Sequence, residues 1–511
     1  MATFLRYVFL CSLAATLSAC GGGGGGDTQP LAEASDADPS SDPTTVDIAI
    51  NDPDTDGPAV VEDTTSDVPV VDEPVGDDIV VDDTVAEEPV TDDTTTTEFP
   101  VFATPAGVAQ CSTEDINLRV DFDMRDYYIF YDQVPNLNLA NFDAPEELIR
   151  ELRVAPDIFS NVQDAVDQNA LNVSGASGGF GFVFEFAADD VVRVREILVG
   201  SPADQAGLLR GDELLAVNNI VLSEITDEQV NTAFDPDNAP INLLVQTGDN
   251  APREVSVNFE DFRWVTAGPS TRFSSTDPDV DLPVVGYLPI RRFLETTQDE
   301  IDAELDGLAA AGGFDELIID LRYNPGGRVS VARHIASIIG GAAVQNEAFL
   351  LSEFNDRYSI FNTEDIFDVP AEPLSLPRVF VLVTGRSASS SEIFINSLEP
   401  FIDVVVLGQP TGGKPFISFA QEYCGKSINA MAAVNTNAVG VSVSGGIQPD
   451  CPVTDDWGTQ ADSVADPLVG GALDFVLSGS CGLVAETAAP PRATFGQGLS
   501  YQDPEMFVPE M

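Results

Sequence analysis

Lys414 and Lys426 are the only two lysines in a chain of 511 residues that contains 85 aspartates and glutamates. A buried ammonium group can lose its proton, whereas a guanidinium group effectively cannot, so a lysine can serve as a general base where an arginine cannot. Lys414 lies 25 residues after a serine in the run Ser-Ala-Ser-Ser-Ser-Glu at 387–392, and no acidic residue occurs between Asp403 and Glu422. These surroundings are expected to lower the pKa of the Lys414 ammonium, as a base working near neutral pH requires.

The serine run lies between a predicted strand at 379–384 and a predicted helix that begins near Glu392. A serine on such a turn is exposed at the edge of a sheet, where the N–H groups at the start of the helix can stabilise an oxyanion. Helix capping by Ser391 would explain the same serines without catalysis. An acidic composition that prefers arginine could also leave two surface lysines by chance.

Composition and histidine content exclude several other functions. A formal net charge of −63 argues against nucleic-acid binding, which needs clustered lysines and arginines. His334, the only histidine, falls in an amphipathic helical pattern, so we expect a packed or surface histidine rather than a Ser-His-Asp triad. A metal site with several histidines is impossible, and no cofactor or metal is expected.

The first 20 residues have the features of a secretory signal: Arg6 is an early positive charge and an apolar stretch follows it. The ending Leu-Ser-Ala-Cys at 17–20 resembles the cleavage site of bacterial lipoproteins, in which Cys20 would be acylated. Because Gly21 rather than aspartate follows, we expect an outer-membrane lipoprotein that faces the periplasm. Residues 21–105 are glycine-rich and then acidic, without lysine or arginine, and are predicted to form a disordered linker.

Four cysteines remain for the folded region, in a compartment that permits disulfides. They allow three connectivities. The preferred pairing is Cys424 with Cys451 and Cys111 with Cys481, which would close a late hairpin and join the two ends of the folded region.

The rest of the chain divides into four segments. Residues 106–172 show a helical pattern and are predicted to form a small helical domain. Residues 173–261 show alternating and continuous apolar runs typical of strands. In residues 262–487 strands and helices alternate, which predicts an α/β core with a mainly parallel sheet. The tail at 488–511 has little pattern.

Within the second segment, the loop of Gly179, Phe180, Gly181 and Phe182 precedes an alternating strand, and Ser-Pro-Ala-Asp-Gln-Ala-Gly-Leu at 201–208 predicts a short helix. These features closely resemble a PDZ domain, whose glycine loop receives the terminal carboxylate of a peptide. The resemblance implies a groove between the strand at 182–186 and a helix at 227–234, to which a peptide adds as a further strand.

Four further sequences occur around this domain: the serine run, Asp-Leu-Arg-Tyr-Asn-Pro-Gly-Gly at 320–327, Gly-Ile-Gln-Pro-Asp at 446–450, and Asp-Ile-Phe-Ser at 157–160. Together they resemble the C-terminal-processing, or tail-specific, serine peptidases. The resemblance implies that Ser389 is the nucleophile and Lys414 the general base. It also implies an oxyanion hole made by the N–H groups of Ser390 and of Gly326 or Gly327.

Two positions depart from this family. Many members have a glutamine four residues after the lysine, where this chain has Ser418, and Gln421 is three residues further on. Ser390 stands where alanine is usual. Lys426 is given no role.

The sequence therefore predicts a lipid-anchored serine endopeptidase that captures protein C-termini through its PDZ domain and cleaves through an acyl-enzyme. The alternative is a binding or scaffold lipoprotein on the same fold that has lost catalysis.

Overall fold

The computed structural model describes residues 48–50, 111–165, 174–186, 191–222, 227–275 and 280–481. All described residues belong to one compact unit. The predicted signal peptide with Cys20, most of the predicted linker and the tail at 488–511 lie outside the described residues.

The helical region contains α1 (Thr113–Asp126) and α2 (Pro145–Leu152) and ends in the short strand β2 (Asn161–Asp164). Helix α1 begins at a capping box, in which the Ser112 side chain accepts from the N–H of Asp115 and the Asp115 carboxylate accepts from the N–H of Ser112. Leu148, Ile149 and Leu152 of α2 are fully buried, because their spacing places them on one face of the helix.

The PDZ-like region is built on an antiparallel sheet with the strand order β4–β5–β6–β8–β9, in which β7 pairs with β6. Strand β3 pairs separately with β10. The elements of this region are β3 (Ala176–Gly179), β4 (Phe182–Phe186), β5 (Val192–Ile197), α3 (Pro202–Gln205), β6 (Glu213–Val217), β7 (Ile220–Val221), α4 (Asp227–Ala233), β8 (Ile241–Gln246), β9 (Arg253–Val257) and β10 (Glu260–Arg263). Strand β4 lies at one edge of the sheet, where a further strand can add.

The core is organised around a seven-stranded sheet with the order β1–β11–β12–β13–β16–β17–β20. Its strands are β1 (Ile48–Ile50), β11 (Thr271–Ser275), β12 (Val285–Pro289), β13 (Glu316–Asp320), β16 (Arg378–Val383), β17 (Asp403–Gly408) and β20 (Cys451–Pro452). The pairings from β12 to β20 are parallel, and the two pairings of β11 are antiparallel. Strand β1 falls within the segment predicted to be a linker.

Helices cover both faces of this sheet. One apolar cluster joins the sheet to α5 (Thr297–Ala310), α6 (Val329–Gly340) and α7 (Ser390–Leu398), and a second joins it to α8 (Pro467–Ser478). Since the strands are covered on both sides, they read as continuous apolar runs in the sequence.

A second sheet is antiparallel throughout and has the order β15–β14–β19–β18, with β2 also paired to β19. Its strands are β14 (Ala348–Phe354), β15 (Thr363–Ile366), β18 (Phe416–Tyr423) and β19 (Lys426–Thr436). The sheets are therefore mixed, and the expectation of a mainly parallel sheet is not confirmed. Cys424 and Gly425 both have positive φ and make the tight turn between β18 and β19, so these strands must be antiparallel.

The predicted disulfide pairing is wrong. Cys111 is bonded to Cys424 and Cys451 to Cys481, with Cα–Cα distances of 5.4 and 5.5 Å. The turn between β18 and β19 lies against the start of α1, which brings Cys424 to Cys111. Helix α8 packs beside β17 and β20, and its end returns Cys481 to Cys451. Within the described ranges no helix is long and apolar enough to cross a membrane.

Candidate active site

Ser389 occupies a sharp turn between strand β16 and helix α7. It is the residue before the helix and has φ of 55° and ψ of −117°. This backbone conformation is costly for a residue with a side chain and is typical of a serine that a strand–turn–helix connection holds out at the edge of a sheet. Ser389 is half-buried, whereas its neighbours Ser387, Ser390 and Ser391 are fully buried.

The other three serines of the run are bonded to the loop at 320–327. Their hydroxyls donate to backbone carbonyls at 2.7 to 2.8 Å: Ser387 to Leu321, Ser390 to Gly327 and Ser391 to Asn324. The non-catalytic interpretation of the run required Ser391 to cap the helix. The Ser391 hydroxyl instead donates to Asn324, so Ser391 is not the cap. These bonds hold the turn that presents Ser389 against the Asn-Pro-Gly-Gly loop.

Gly326 and Gly327 lie beside this turn with φ of 110° and 133°. A Cβ atom on Gly326 would stand 2.8 Å from the Cβ of Ser389, so only glycine permits the close approach. The N–H of Gly326 donates to Oδ1 of Asn324 at 2.9 Å, and its C=O accepts from the N–H of Phe293 at 3.0 Å. Because the C=O and N–H of a trans peptide point in opposite directions, the N–H of Gly327 points away from Phe293.

The first N–H groups of a helix lack intrahelical partners, and Ser390 is the first residue of α7. Its nitrogen would lie 3.0 Å from a Cβ on Gly326, so the start of α7 lies against this glycine. The N–H of Gly326 already donates to Asn324, so Gly327 stays the candidate among the two glycines that the sequence left open as oxyanion donors.

Glu392 connects the serine turn with the loop that carries Lys414. Its carboxylate is fully buried, and one oxygen, Oε2, accepts from the N–H groups of Ser389 and Lys414 at 2.9 and 2.8 Å. The other oxygen accepts from the N–H of Gly413 at 2.7 Å and from the hydroxyl of Thr411. Burial raises the pKa of Glu392, and these four hydrogen bonds oppose the rise.

The residues around Glu392 bring the backbones of Ser389 and Lys414 close together. The N–H of Gly412 donates to the carbonyl of Ser387 at 2.8 Å, which gives a second direct bond between the two loops. Lys414 itself is half-buried between β17 and β18. The stretch without acidic residues in the sequence does not mean that acids are absent in space, because Glu392 of α7 lies against the backbone of Lys414.

The ammonium of Lys414 lies 5.7 Å from the centroid of the Phe159 ring. Phe159 follows α2 and belongs to the Asp-Ile-Phe-Ser sequence, which had no site role in the sequence interpretation. Ser418 lies in β18 opposite Met431, beside a register shift, and Gln421 lies opposite Ile428. Three residues of strand span about 10 Å, so Gln421 is much further along the strand than the position of the family glutamine.

The glycine loop of the PDZ-like region is fixed to α3. The carbonyl of Phe180 accepts from the N–H of Ala203 at 3.0 Å, and that of Gly181 accepts from the N–H of Leu198 at 2.9 Å. Gly181 has φ of 82°, and a Cβ there would overlap Ser201. Gly179 ends β3 and Phe182 begins β4, so the loop stands at the start of the edge strand, as predicted.

Two contacts join this region to the loops of the candidate site. Arg386, three residues before Ser389, is paired with Glu185 of β4, which also pairs with Arg195 of β5. The guanidinium of Arg195 lies 4.7 Å from the centroid of the Tyr323 ring, in the loop that continues to Gly326. The edge strand and the serine turn are therefore linked by charged side chains.

The remaining candidates lie elsewhere. His334 on α6 is 2.7 Å from Asp302 on α5, and Lys426 pairs with Glu146 and Asp164. In the part of the chain that the structure describes, no group of three histidines, cysteines or acids could hold a metal ion.

Comparisons with known proteins agree with this geometry. The model of peptidase family S41 matches residues 284–453, and a PDZ domain model matches residues 193–247. The chain is 26% identical to a carboxyl-terminal-processing protease of Synechocystis sp. over 285 residues, which are 55% of this chain and 60% of that protein. It is 27% identical to a "Probable CtpA-like serine protease" of Staphylococcus aureus over 305 residues, 58% of this chain and 55% of that protein. The chain thus spans less than two thirds of the length of each of these relatives.

A crystal structure from Bacteroides fragilis that is assigned to the S41 proteases superposes with a TM-score of 0.56 at 20% identity, covering 70% of this chain and 97% of that one. This likeness supports the fold. The resemblance to the C-terminal-processing peptidases is confirmed by the family models and the curated relatives. Residues 284–453 of this chain are therefore similar to peptidase family S41, and residues 193–247 are similar to PDZ domains.

Proposed function

We propose that the protein is a serine endopeptidase in which Ser389 is the nucleophile and Lys414 the general base. The observation that carries the proposal is the carboxylate of Glu392, whose oxygen Oε2 binds the backbone N–H groups of both residues. Burying a carboxylate costs free energy unless hydrogen bonds compensate for the lost water. The bonds of Glu392 come from the serine turn and from the loop at 411–414, so they fix the relative position of the two loops. The bond from the N–H of Ser389 is part of the capping box that begins α7, and the bond from the N–H of Lys414 extends this box to the loop that carries the lysine.

The reaction follows from the positions of these groups. The neutral amine of Lys414 takes the proton of the Ser389 hydroxyl as its oxygen attacks the scissile carbonyl. The N–H groups of Ser390 and Gly327 stabilise the negative oxygen of the tetrahedral intermediate. The ammonium then returns the proton to the leaving amine, and water hydrolyses the acyl-enzyme with Lys414 again as base.

The PDZ domain would select substrates by their C-termini. The edge strand β4 can accept a peptide as an added strand, and the loop of Gly179, Phe180, Gly181 and Phe182 at its start would bind the terminal carboxylate. The ion pair between Glu185 of this strand and Arg386 supports this proposal, because it joins the proposed tail-binding strand to the serine turn. A tail bound there would deliver its own chain to Ser389.

The proposed location rests on the sequence alone. Acylation of Cys20 would anchor the protein to a bacterial outer membrane on its periplasmic face, with the acidic segment as a spacer. Two disulfides among the described residues fit an oxidising compartment. Mass spectrometry of the membrane-bound protein tests this directly, since a mature chain that begins at an unmodified residue would contradict it.

Cleavage of an unfolded protein by the wild type, Ser389→Ala and Lys414→Arg tests the dyad. Lys414→Arg keeps the positive charge but removes the base, so both variants should lose more than about 10³-fold in kcat. Lys426→Ala is the matched control, because Lys426 pairs with Glu146 and Asp164 away from the site. Cleavage by Ser389→Ala at the wild-type rate would refute the assignment.

Ser418 favours one alternative, a protein that binds tails without cleaving them. In that case the wild type and Ser389→Ala would bind an unfolded protein with equal affinity, and neither would cleave it.

A further inference from the structure

The aromatic ring of Phe159 lies next to the ammonium of Lys414, the proposed base. The ammonium of Lys414 lies 5.7 Å from the ring centroid, within the range of about 6 Å at which the negative face of an aromatic ring attracts a cation. Phe159 is half-buried and comes from the region before the PDZ domain. A segment that resembles a separate small domain thus reaches the candidate site.

The backbone of this segment holds Phe159 in place. Asp157 is only 3% exposed, and its Oδ1 accepts from the N–H groups of Phe159 and Ser160 at 2.7 and 3.0 Å. Its other oxygen accepts from the hydroxyl of Tyr128 at 2.8 Å. The hydroxyl of Ser160 accepts from the N–H of Met431 in β19 at 3.1 Å, which ties the segment to the strand beside β18.

The ring also packs against the loop that carries Lys414. Its centroid is 6.3 Å from that of Phe416, which is buried and stands two residues after Lys414. The ring of Phe130 also packs against Phe416, with the two ring centroids 5.8 Å apart. Phe159 therefore has little freedom to leave the ammonium.

Four residues after Lys414, where the similar peptidases often have a glutamine, this chain has Ser418. We propose that Phe159 is a positioning residue for the base, holding the Lys414 side chain through its ring in place of that amide. The proposal rests on the proposed Ser389 and Lys414 function. It also assigns the N-terminal helical region a part in catalysis.

The carboxylates of Glu392 and Asp157 lie beside this contact, and each binds other groups. Glu392 of α7 binds the backbone N–H of Lys414, and the oxygens of Asp157 are directed to Phe159, Ser160 and Tyr128. Arg153 donates to the carbonyl of Ile158 on the same segment. Substituting Phe159 removes none of the hydrogen bonds of Glu392. A change in the pH dependence of activity would therefore reflect a change in the pKa of the Lys414 ammonium.

The test compares kcat, KM and pH profile of the full chain with Phe159→Leu, Phe159→Trp and Phe159 replaced by fluorinated phenylalanines. The ring stabilises the charged ammonium of Lys414, so removing the ring should lower the pKa of this group. The acidic limb of the pH profile of kcat/KM should then move to lower pH by about 0.5 to 1 unit. Phe159→Leu should also lower the plateau kcat about tenfold with KM unchanged, because the ring no longer helps to orient the amine. Phe159→Trp should restore both values.

Fluorination weakens the negative face of the ring while nearly keeping its shape, so it separates the ring's charge distribution from packing. Progressive fluorination should move the acidic limb stepwise in the direction of Phe159→Leu, without loss of thermal stability. An acidic limb that stays in place across the fluorinated series would overturn the proposal, even if Phe159→Leu unfolds. Activity that survives in Ser389→Ala would instead refute the dyad, so the two failures are distinguishable.

Discussion

The carboxylate of Glu392 accepts a hydrogen bond of 2.8 Å from the backbone N–H of Lys414. The same oxygen accepts from the N–H of Ser389, and the second oxygen accepts from Gly413 and Thr411. All four partners are donors. A carboxylate satisfies them, whereas the NH₂ of an amide would oppose two of them.

Glu392→Gln should therefore lower kcat by about 10- to 100-fold, because displacements near 1 Å between reacting groups have costs of this size. Burial raises the pKa of Glu392, so wild-type activity should also fall in acid, where the protonated group loses part of its capacity to accept. The assay is peptide hydrolysis between about pH 4 and 8.

Glu399→Gln is the matched control, since it makes the same change just after the end of the same helix, on the surface. It should leave kcat unchanged. Wild-type turnover in Glu392→Gln would show that the carboxylate does not align the two loops.

Ser390→Ala changes this chain to the residue usual in the similar peptidases. The hydroxyl of Ser390 donates to the carbonyl of Gly327 at 2.7 Å, and its loss frees the glycine whose N–H we assign to the oxyanion hole. A hydrogen bond of this kind contributes about 0.5 to 1.5 kcal/mol, so kcat should fall about 3- to 10-fold with KM unchanged.

Ser397→Ala tests the same truncation in the same helix. Ser397 is buried, and its hydroxyl has no hydrogen-bond partner among the described residues. Steady-state kinetics should therefore match the wild type. Equal kinetics for both alanine variants would remove the positioning role of Ser390.

The sequence predicts the parts of the site that neighbours along the chain determine. The strand, the serine turn and helix α7 follow from a local pattern. The roles of Ser389 and Lys414 are implied by the resemblance to the C-terminal-processing peptidases and stay a prediction. Glu392 and Phe159 appear in the sequences that carry this resemblance, but their roles depend on partners in distant segments. No periodicity along the chain shows that an acid of α7 binds the lysine loop.

The wrong disulfide pairing and the missed second sheet have the same cause. Pairing of cysteines is decided by which turns and helix ends meet in space, and Cys424 meets the start of α1 only because β2 and β19 pair. The alternation of strands and helices at 262–487 predicts parallel pairings, but hairpins such as β18–β19 carry no signal of which sheet they join.

The corrected connectivity predicts unequal losses of stability. In the chain-entropy model, a cross-link restrains the unfolded chain more when its loop is longer. Cys111–Cys424 has a sequence separation of 313 and Cys451–Cys481 one of 30. Replacing both cysteines of the first bridge by serine should lower the free energy of unfolding by about 6 kcal/mol, and replacing those of the second bridge should lower it by about 3 to 4 kcal/mol.

The denaturant midpoints of the two variants, each with both cysteines of one bridge replaced, measure which bridge contributes more stability. A non-reducing peptide map identifies which peptides are bridged. A map that joins Cys424 to Cys451 would contradict the structure.

Arg210 joins the PDZ domain to the core through every part of its guanidinium. Nε donates to the carbonyl of Thr459. Nη1 donates to the hydroxyl of Tyr323 and to the backbone carbonyl of Arg195, and Nη2 donates to the carboxylate of Asp455. A lysine has one nitrogen and cannot make this set. Arg210→Lys should lower the free energy of unfolding by about 2 to 3 kcal/mol, since it leaves buried acceptors without donors.

Arg263→Lys is the control for this change, because the Arg263 side chain is 59% exposed and its pair with Glu300 is a surface contact. Urea denaturation should show an effect within about 1 kcal/mol there. Similar losses for both variants would mean that the Arg210 contacts add no stability.

Asp123 should make stability depend on pH in acid. Burial raises its pKa from 3.8 to about 6, and Arg119, its partner at 2.8 Å, only partly opposes the rise. The folded state therefore binds a proton between about pH 4 and 6 that the unfolded state releases. Stability from this group is complete below the unfolded pKa and is lost as the pH rises through the folded one, by about 3 kcal/mol in total.

Asp123→Asn removes this titration while keeping the shape of the side chain. The free energy of unfolding of the wild type minus that of Asp123→Asn should fall as the pH rises from about 4 to 7, because only the wild type becomes charged. Other acids titrate in both proteins and cancel in the difference. Denaturant titrations at four or five pH values measure it, and a difference that stays constant would mean that Asp123 keeps its ordinary pKa in the folded protein.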